Sequence, residues 1–266
     1  MKHVATSFGQ VAYESTGDGP PVVLLHATLH DHHDFDAVAG VLATRHRVLA
    51  IDWPGHGQSA PAPAITADGL ATVLVEILAA LDVGPAVFVG NSVGGYAAAR
   101  LAIEHPGLVQ GLVLVNTGGF SPQNAQSAVF CRTLGTKLVA RAVARAVVSA
   151  YLRPRSESDR ALGERVVGRI RTADGTPTFT SLWRSFNAPS HDLRARASAI
   201  TAPTLVIWGV RDRLADASWG RTANQLIAGS RYVELDTGHV AFASDPESFL
   251  AVAEPFIESA IDAAQS

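Results

Sequence analysis

The chain has 266 residues, of which 47% are hydrophobic and 17% charged, and its formal net charge is −3. This composition excludes a disordered chain, and the slightly acidic balance disfavours nucleic acid as a partner. Its single cysteine, Cys131, excludes an internal disulfide. The N-terminus lacks the apolar core of a secretion signal, and no apolar run approaches the roughly 18 residues of a membrane span. We therefore expect a soluble, cytoplasmic protein that does not bind membranes.

Short apolar runs rich in β-branched residues alternate with longer helical patterns along the chain. A hairpin is predicted at residues 4–8 and 10–13, and helices are predicted over 65–81 and 93–104. Buried strands are predicted at residues 22–27, 47–52, 86–92, 111–117, 204–210 and 231–236. Continuous apolar runs are typical of strands covered on both faces. The alternation predicts an α/β fold with a doubly wound, mostly parallel sheet of eight strands.

Residues 119–195 interrupt this alternation, because they contain helical patterns, such as the one over 133–152, and no convincing strand. We predict an all-helical insertion that divides the sheet domain into residues 1–118 and 196–266. Within the insertion, residues 131–171 carry ten basic and three acidic side chains, a net charge of +7, so the remainder carries −10. This charge suggests the hypothesis that the insertion attracts anionic substrates.

The strongest chemical motif is the sequence Gly-Asn-Ser-Val-Gly at residues 90–94, which follows a predicted strand and precedes a predicted helix. Such a strand-to-helix turn is too tight for side chains two positions either side of the serine. It holds the serine hydroxyl above the edge of the sheet. The motif therefore predicts that Ser92 is a nucleophile.

A serine hydroxyl is a poor nucleophile unless a histidine and a carboxylate activate it. Asp212 lies just past one C-terminal strand, and His239 lies in the loop after the last one. Three such residues, in this order at three strand ends, resemble the α/β-hydrolase superfamily. The resemblance covers nearly the whole chain. It implies that His239 is the general base and Asp212 the acid that orients it, with Asp216 and Asp236 as the alternative acids.

Two further segments resemble the same family. Residues 52–59 (Asp-Trp-Pro-Gly-His-Gly-Gln-Ser) match the family's D-x-x-G-x-G-x-S loop, in which His56 would have a structural role. Residues 104–114 resemble the stretch that follows the elbow helix. The helical insertion falls where relatives carry a cap.

The resemblance also implies an oxyanion hole, which needs two backbone N–H groups directed at the developing negative charge. One would come from Val93 and the other from Thr28, in a loop where relatives have His-Gly and this chain has His-Ala. Ala27 is a departure, because glycine tolerates backbone angles that alanine resists. Residues beside these groups, and one arginine of the insertion, are candidate substrate contacts: His26, Asn91, Arg184 and Val240.

Two other features could be mistaken for sites. Residues 30–34 (His-Asp-His-His-Asp) partly match the H-x-H-x-D-H run of metallo-hydrolases, but Phe35 stands where the last histidine would be. A pocket-lining or solvated loop is the better interpretation, so we predict no metal site. Cys131 lacks the glycine frame of an elbow, which favours an incidental thiol.

These features predict a serine hydrolase that cleaves a carboxylic ester or related small acyl compound through an acyl-enzyme, without a cofactor. One alternative is a carbon–carbon bond hydrolase of ring-cleavage products, because residues 90–95 match the elbow G-N-S-x-G-G of those enzymes. Against it, Val240 follows His239 where they usually have tryptophan, and their glycine-rich oxyanion loop is absent. Another alternative is a non-catalytic ligand-binding homologue. The sequence leaves the substrate and the oligomeric state open.

Overall fold

Eight strands form one sheet in the computed structural model, which describes residues 1–265. In chain order they are β1 Lys2–Thr6, β2 Gly9–Thr16, β3 Pro21–Leu25, β4 Arg47–Ile51, β5 Ala86–Asn91, β6 Val109–Val115, β7 Thr204–Gly209 and β8 Arg231–Leu235. Across the sheet the order is β1-β2-β4-β3-β5-β6-β7-β8. The β1–β2 and β2–β4 pairs are antiparallel and all other pairs are parallel. The predicted α/β fold with its mostly parallel sheet is confirmed.

Ten α-helices connect or follow these strands within the described residues. They are α1 Asp36–Leu42, α2 Ala67–Ala80, α3 Val93–Glu104, α4 Ala125–Leu134, α5 Lys137–Leu152, α6 Glu157–Ile170, α7 Gly175–Ser185, α8 Ala217–Leu226, α9 Ala241–Ser244 and α10 Pro246–Gln265. Helix α2 begins two residues later than predicted because Thr66 caps it, its hydroxyl accepting a hydrogen bond from the Gly69 amide at 3.1 Å.

The core consists of two apolar layers, one on each face of the sheet. Alternate residues of a strand point to opposite faces, so Phe88 of β5 packs in the layer with α2 and α3, whereas Val87 and Val89 pack in the layer with α1 and α10. Burying one such side chain stabilises the fold by about 1.5–3 kcal/mol. Because both faces are covered, the strands read as continuous apolar runs rather than alternating ones.

Helices α4 to α7 lie between β6 and β7, in the segment predicted to be an insertion. The helical pattern over residues 133–152 is divided between two helices, since α4 ends at Leu134 and α5 begins at Lys137. Between them Thr136 has extended backbone angles (φ −102°, ψ 123°), which interrupts the helical hydrogen bonds. The buried stripe of α5, which includes Ala140 and Val148, joins the core layer of α1 and α10.

No helix within residues 1–265 combines the length and the apolar composition that crossing a membrane would require.

Candidate active site

The serine of the Gly-Asn-Ser-Val-Gly motif lies in the turn between β5 and α3. Ser92 has φ 56° and ψ −115°, left-handed angles that are costly for a residue with a side chain. A Cβ on Gly90 would lie 2.6 Å from the Gly94 carbonyl oxygen, and one on Gly94 would lie 2.7 Å from the Leu25 carbonyl carbon. Both glycines are therefore required by close backbone contacts, as the motif predicted.

A histidine and a carboxylate meet at the same edge of the sheet. His239, after β8, donates from Nδ1 to Oδ2 of Asp212, after β7, at 2.5 Å. The other oxygen of Asp212, Oδ1, accepts the backbone amides of Leu214 (2.8 Å) and Ala215 (3.0 Å). The carboxylate is thus fixed in orientation, and it leaves His239 Nε2 as the nitrogen that can accept a proton from elsewhere.

Sequence reasoning missed Asn116, which follows β6 in a left-handed conformation (φ 39°). Its amide nitrogen donates to Asp212 Oδ2 at 3.1 Å, and its amide oxygen accepts the Gly209 amide at 2.7 Å. The Asn116 side chain therefore ties Asp212 to the end of β7. An asparagine directly after a central strand was the signal that could have identified it.

The two alternative acids, Asp216 and Asp236, bind groups other than His239. Asp216 caps α8, where its side chain accepts the Ser218 amide at 2.9 Å. Asp236 is exposed and pairs with Arg155 at 2.7 Å and with Arg211 at 3.2 Å. Neither contacts the imidazole of His239, so the structure selects Asp212 as its carboxylate partner.

The loop after β3 carries Thr28 beside the elbow. The position that needs left-handed backbone angles is Leu29 (φ 60°), not Ala27, so alanine at position 27 causes no strain there. A turn bond from the His30 amide to the Ala27 carbonyl oxygen (3.2 Å) closes the loop. Thr28 and Val93 line the same cavity as Ser92, as two oxyanion donors would have to.

The histidines of residues 30–34 are bound to neighbouring side chains. His30 Nδ1 pairs with the buried carboxylate of Asp34, and its Nε2 makes a 2.9 Å hydrogen bond with the hydroxyl of Tyr151 from α5. His32 donates from Nδ1 to Asp52 at 2.9 Å, an interaction that raises the pKa of His32. Within residues 1–265, no group of three or more His, Cys, Asp and Glu side chains is arranged to hold a metal ion.

A cavity of about 170 Å³ lies between the sheet edge and the helices of the insertion. Ser92 and His239 line its base, and aromatic residues of α4 and α7, including Phe130 and Trp183, line the opposite wall. The ring of Tyr151 packs edge-on against that of His239, with centroids 5.2 Å apart. Ser92, His239, Thr28 and Val93 thus line one mainly apolar cavity, an arrangement compatible with acyl transfer.

A family model described as the alpha/beta hydrolase fold matches residues 20–246. The chain belongs to the α/β-hydrolase family. It is 30% identical to a pimeloyl-[acyl-carrier protein] methyl ester esterase from Chromobacterium violaceum, over 92% of this chain and 97% of that one. The solved enol-lactonase from Burkholderia xenovorans LB400 is 26% identical with a TM-score of 0.85, over 97% and 100% of the two chains. A meta-cleavage product hydrolase from Pseudomonas fluorescens IP01 (20% identity, TM-score 0.79, 98% of each chain) shares the fold.

The four candidate substrate contacts do not line the cavity of this hydrolase. His26 is fully buried, donating to the Ala27 carbonyl oxygen and accepting the Trp53 amide at 3.1 Å, which holds the loop before Thr28. Asn91 donates to the carbonyl oxygens of Val115 and His239, both at 2.9 Å, and so braces the histidine loop from behind.

The other two predicted substrate contacts, Val240 and Arg184, also lie outside the cavity. Val240 is fully buried, in the layer of α1 and α10. Arg184 lies on the outer side of α7, in a separate surface depression with Lys137. These positions depend on which face of each element meets the core.

The structure also places Cys131 and His56, the two residues for which the sequence predicted no catalytic role. Cys131 lines the cavity from α4, and burial raises the pKa of its thiol to about 11, so it is not a thiolate at neutral pH. His56 is buried beside His26 and donates to the Pro54 carbonyl oxygen at 2.9 Å, in keeping with a structural role.

Proposed function

We propose that this hydrolase cleaves a carboxylic ester or lactone through an acyl-enzyme formed on Ser92. The observation that carries the proposal is the Asp212–His239 hydrogen bond beside a serine that is held in a strained turn at the base of an enclosed cavity. Strain of this kind persists only where surrounding structure enforces it, and it is concentrated at functional sites.

In the proposed reaction, Ser92 Oγ attacks the acyl carbon while His239 Nε2 accepts the serine proton. Asp212 keeps the proton of His239 on Nδ1 and stabilises the imidazolium that forms. The amides of Val93 and Thr28 donate hydrogen bonds to the oxyanion. His239 then protonates the leaving alcohol. Water, activated by the same imidazole, releases the acid and restores the serine.

The relatives support this reaction type rather than a particular substrate. One is named as a methyl ester esterase and another as an enol-lactonase, and both names describe hydrolysis at an acyl carbon–oxygen bond. The carbon–carbon bond hydrolase remains the second candidate because residues 90–95 match its elbow. Its support is weaker, since Arg184, the residue that could have bound a substrate carboxylate, lies outside the cavity.

Turnover of p-nitrophenyl butyrate by wild type and Ser92→Ala tests the proposal. We expect Ser92→Ala to abolish nearly all turnover, and intact mass spectrometry of wild type to show the acyl adduct of a slow ester. Ser121→Ala is the matched control, because Ser121 lines the same cavity but makes no hydrogen bond to His239 within the described residues.

Three results would contradict the proposal. Equal rates for wild type and Ser92→Ala would exclude the acyl-enzyme. Turnover of a vinylogous diketone but not of esters or lactones would favour the carbon–carbon hydrolase. Ligand binding without turnover of any of them would favour a non-catalytic homologue.

A further inference from the structure

The chemistry of its lining limits the substrates that the cavity above Ser92 can hold. None of the described residues that line it is Asp, Glu, Lys or Arg, and its walls are largely apolar, with Phe130, Val147, Ile170 and Phe179 among them. A charged group that entered this space would lose its hydration without gaining an ionic partner. The lining therefore favours an uncharged substrate.

The basic side chains of the insertion lie outside the cavity, and several bind other groups. Arg165 pairs with Asp34 at 2.9 Å, Arg155 pairs with Asp236 at 2.7 Å, and Arg145 pairs with Glu164 on the surface. Arg169 donates to the carbonyl oxygen of Gly57 at 3.2 Å. These contacts fasten parts of the insertion to the sheet domain or neutralise them at the surface. None of the ten basic residues in 131–171 lines the cavity, so they give a carboxylate inside it no ionic partner.

A buried histidine of the cavity wall lacks a well-aligned hydrogen bond. His191 is 5% exposed, and neither ring nitrogen makes a hydrogen bond of good geometry, although the Phe186 carbonyl oxygen lies near the ring. Its ring is held between Tyr96 and Phe186, with centroid distances of 4.4 and 5.1 Å. Burial lowers the pKa of His191 to about 4, an effect that the carboxylates of Asp68 and Asp192 and the Phe186 carbonyl oxygen offset only in part. At neutral pH the imidazole is uncharged and presents one N–H donor and one acceptor nitrogen.

His191 lies close to the nucleophile. The Gly118 amide donates to the Ser92 carbonyl oxygen at 2.9 Å. A Cβ on Gly118 would lie 3.2 Å from His191 Nε2 and 3.4 Å from that same carbonyl oxygen. The ring edge of His191 therefore lies near the backbone of the nucleophile turn, and His191 lines the cavity together with Ser92.

A second unpartnered donor lies further along the same wall. The indole nitrogen of Trp183 is buried without a hydrogen-bond partner, and an indole N–H can only donate. Buried polar groups in native structures are nearly always satisfied, by protein, water or ligand. His191, Trp183 and the hydroxyl of Thr28, which is also buried without a partner, all line the cavity, and such unpaired donors indicate that the ligand brings an acceptor.

We propose that the substrate of this hydrolase is an uncharged ester or lactone with a second, neutral carbonyl oxygen beside its scissile group, and that His191 binds that oxygen as a specificity-determining residue. This rests on the proposed function and adds to it a substrate class. A site built to hydrogen-bond a substrate group discriminates strongly against analogues that lack the group, because its own polar atoms then stay unpaired.

The test compares p-nitrophenyl hexanoate with hexanoates that carry a ketone at carbon 3, 4 or 5, and with the monoester of adipic acid, which carries a carboxylate. We expect at least one oxo ester to exceed hexanoate in kcat/KM by about tenfold or more, the scale of one buried hydrogen bond. The carboxylate ester should be at least about a hundredfold slower than hexanoate, the scale of desolvating an unpaired charge.

His191→Phe should remove the preference for the oxo ester, measured as the ratio of its kcat/KM to that of hexanoate, because phenylalanine can keep the stacking with Tyr96 and Phe186 but has no nitrogen to donate. His191→Gln, which restores an N–H donor, should recover part of the preference. His46→Phe is the matched control. His46 is another buried histidine without a hydrogen-bond partner, but it does not line the cavity.

A binding measurement separates failure of this proposal from failure of the proposed function. In Ser92→Ala, calorimetry should show tighter binding of the oxo-hexanamides than of hexanamide, and His191→Phe should abolish the difference. Equal loss for all esters in His191→Phe, or a preference for the carboxylate ester, would overturn the assignment of His191. Absence of ester turnover in wild type, with the binding difference intact, would instead overturn only the hydrolytic mechanism.

Discussion

The substitution Asp212→Asn separates shape from charge at the proposed catalytic histidine. The carboxylate of Asp212 accepts four hydrogen bonds, two on each oxygen. Asparagine has the same shape but replaces one oxygen with an NH₂ group that only donates. The four groups that donate hydrogen bonds to Asp212 therefore determine the free energy of each orientation of the new amide.

With the amide oxygen toward the backbone, the N–H groups of Leu214 and Ala215 stay satisfied and the NH₂ group faces Asn116 and His239. His239 Nδ1 must then accept a hydrogen bond from this NH₂ group, so the ring carries its hydrogen on Nε2 and can no longer take the proton of Ser92. In the flipped orientation the NH₂ group opposes both backbone amides, and each unsatisfied buried donor costs about 1–3 kcal/mol. The first orientation, with the inactive tautomer, is therefore favoured.

The equivalent change in a serine-protease triad lowers kcat by about 10⁴-fold, which corresponds to about 5.5 kcal/mol of transition-state stabilisation. We expect a loss of the same order here, measured as kcat for p-nitrophenyl butyrate, with the folded state checked by circular dichroism. Asp216→Asn and Asp236→Asn are the controls and should retain near-wild-type rates. A rate for Asp212→Asn within tenfold of wild type would refute the reasoning and require another acid.

Three further outcomes are expected. Gly94→Ala should destabilise the fold by about 1–3 kcal/mol or prevent folding, because its Cβ would lie 2.9 Å from the His26 carbonyl oxygen; urea unfolding measures this. Burial lowers the pKa of His191 to about 4 in the folded protein, whereas the same histidine in the unfolded chain has a pKa of about 6.5. As the pH falls below about 6.5, the unfolded chain therefore binds a proton that the folded protein does not. Stability should therefore decrease by about 2 kcal/mol from pH 7 to pH 5 on account of this group, and a His191→Phe variant that kept the full decrease would contradict the assignment. Dialysis against EDTA should leave esterase activity unchanged, because His30 is bonded to Asp34 and Tyr151; activity that zinc restores would contradict this.

The elements and the candidate chemistry near the sheet could be predicted because both depend on local sequence. Parallel strands end at one edge, so residues that follow β5, β7 and β8 must meet there, and this brought Ser92, Asp212 and His239 together. The tight turn required glycines that the sequence displays. Asn116 follows the same rule, since it comes directly after β6 at that edge, and it was missed only because it is neither acid nor base.

The substrate-facing residues could not be predicted in this way. Arg184 and Trp183 are neighbours on α7, yet one lies on the outer surface and the other in the cavity wall. Which face of a helix turns inward depends on how α4 to α7 pack over the sheet, and that packing is a sum of long-range contacts without a local motif. The same holds for the break between α4 and α5, where helical periodicity continued across an extended residue.

The loop beside the elbow shows how a departure from a family pattern can be offset elsewhere. Ala27 replaces the usual glycine, and the left-handed angles fall instead on Leu29, a residue that has no intrinsic preference for them. Such a conformation needs support from its surroundings. His30 supplies it, since its amide closes the turn on Ala27 and its ring is fixed by Asp34 and by the hydroxyl of Tyr151. The histidine that resembled a metal ligand thus joins the loop of the proposed oxyanion donor to α5, one of the helices that line the cavity.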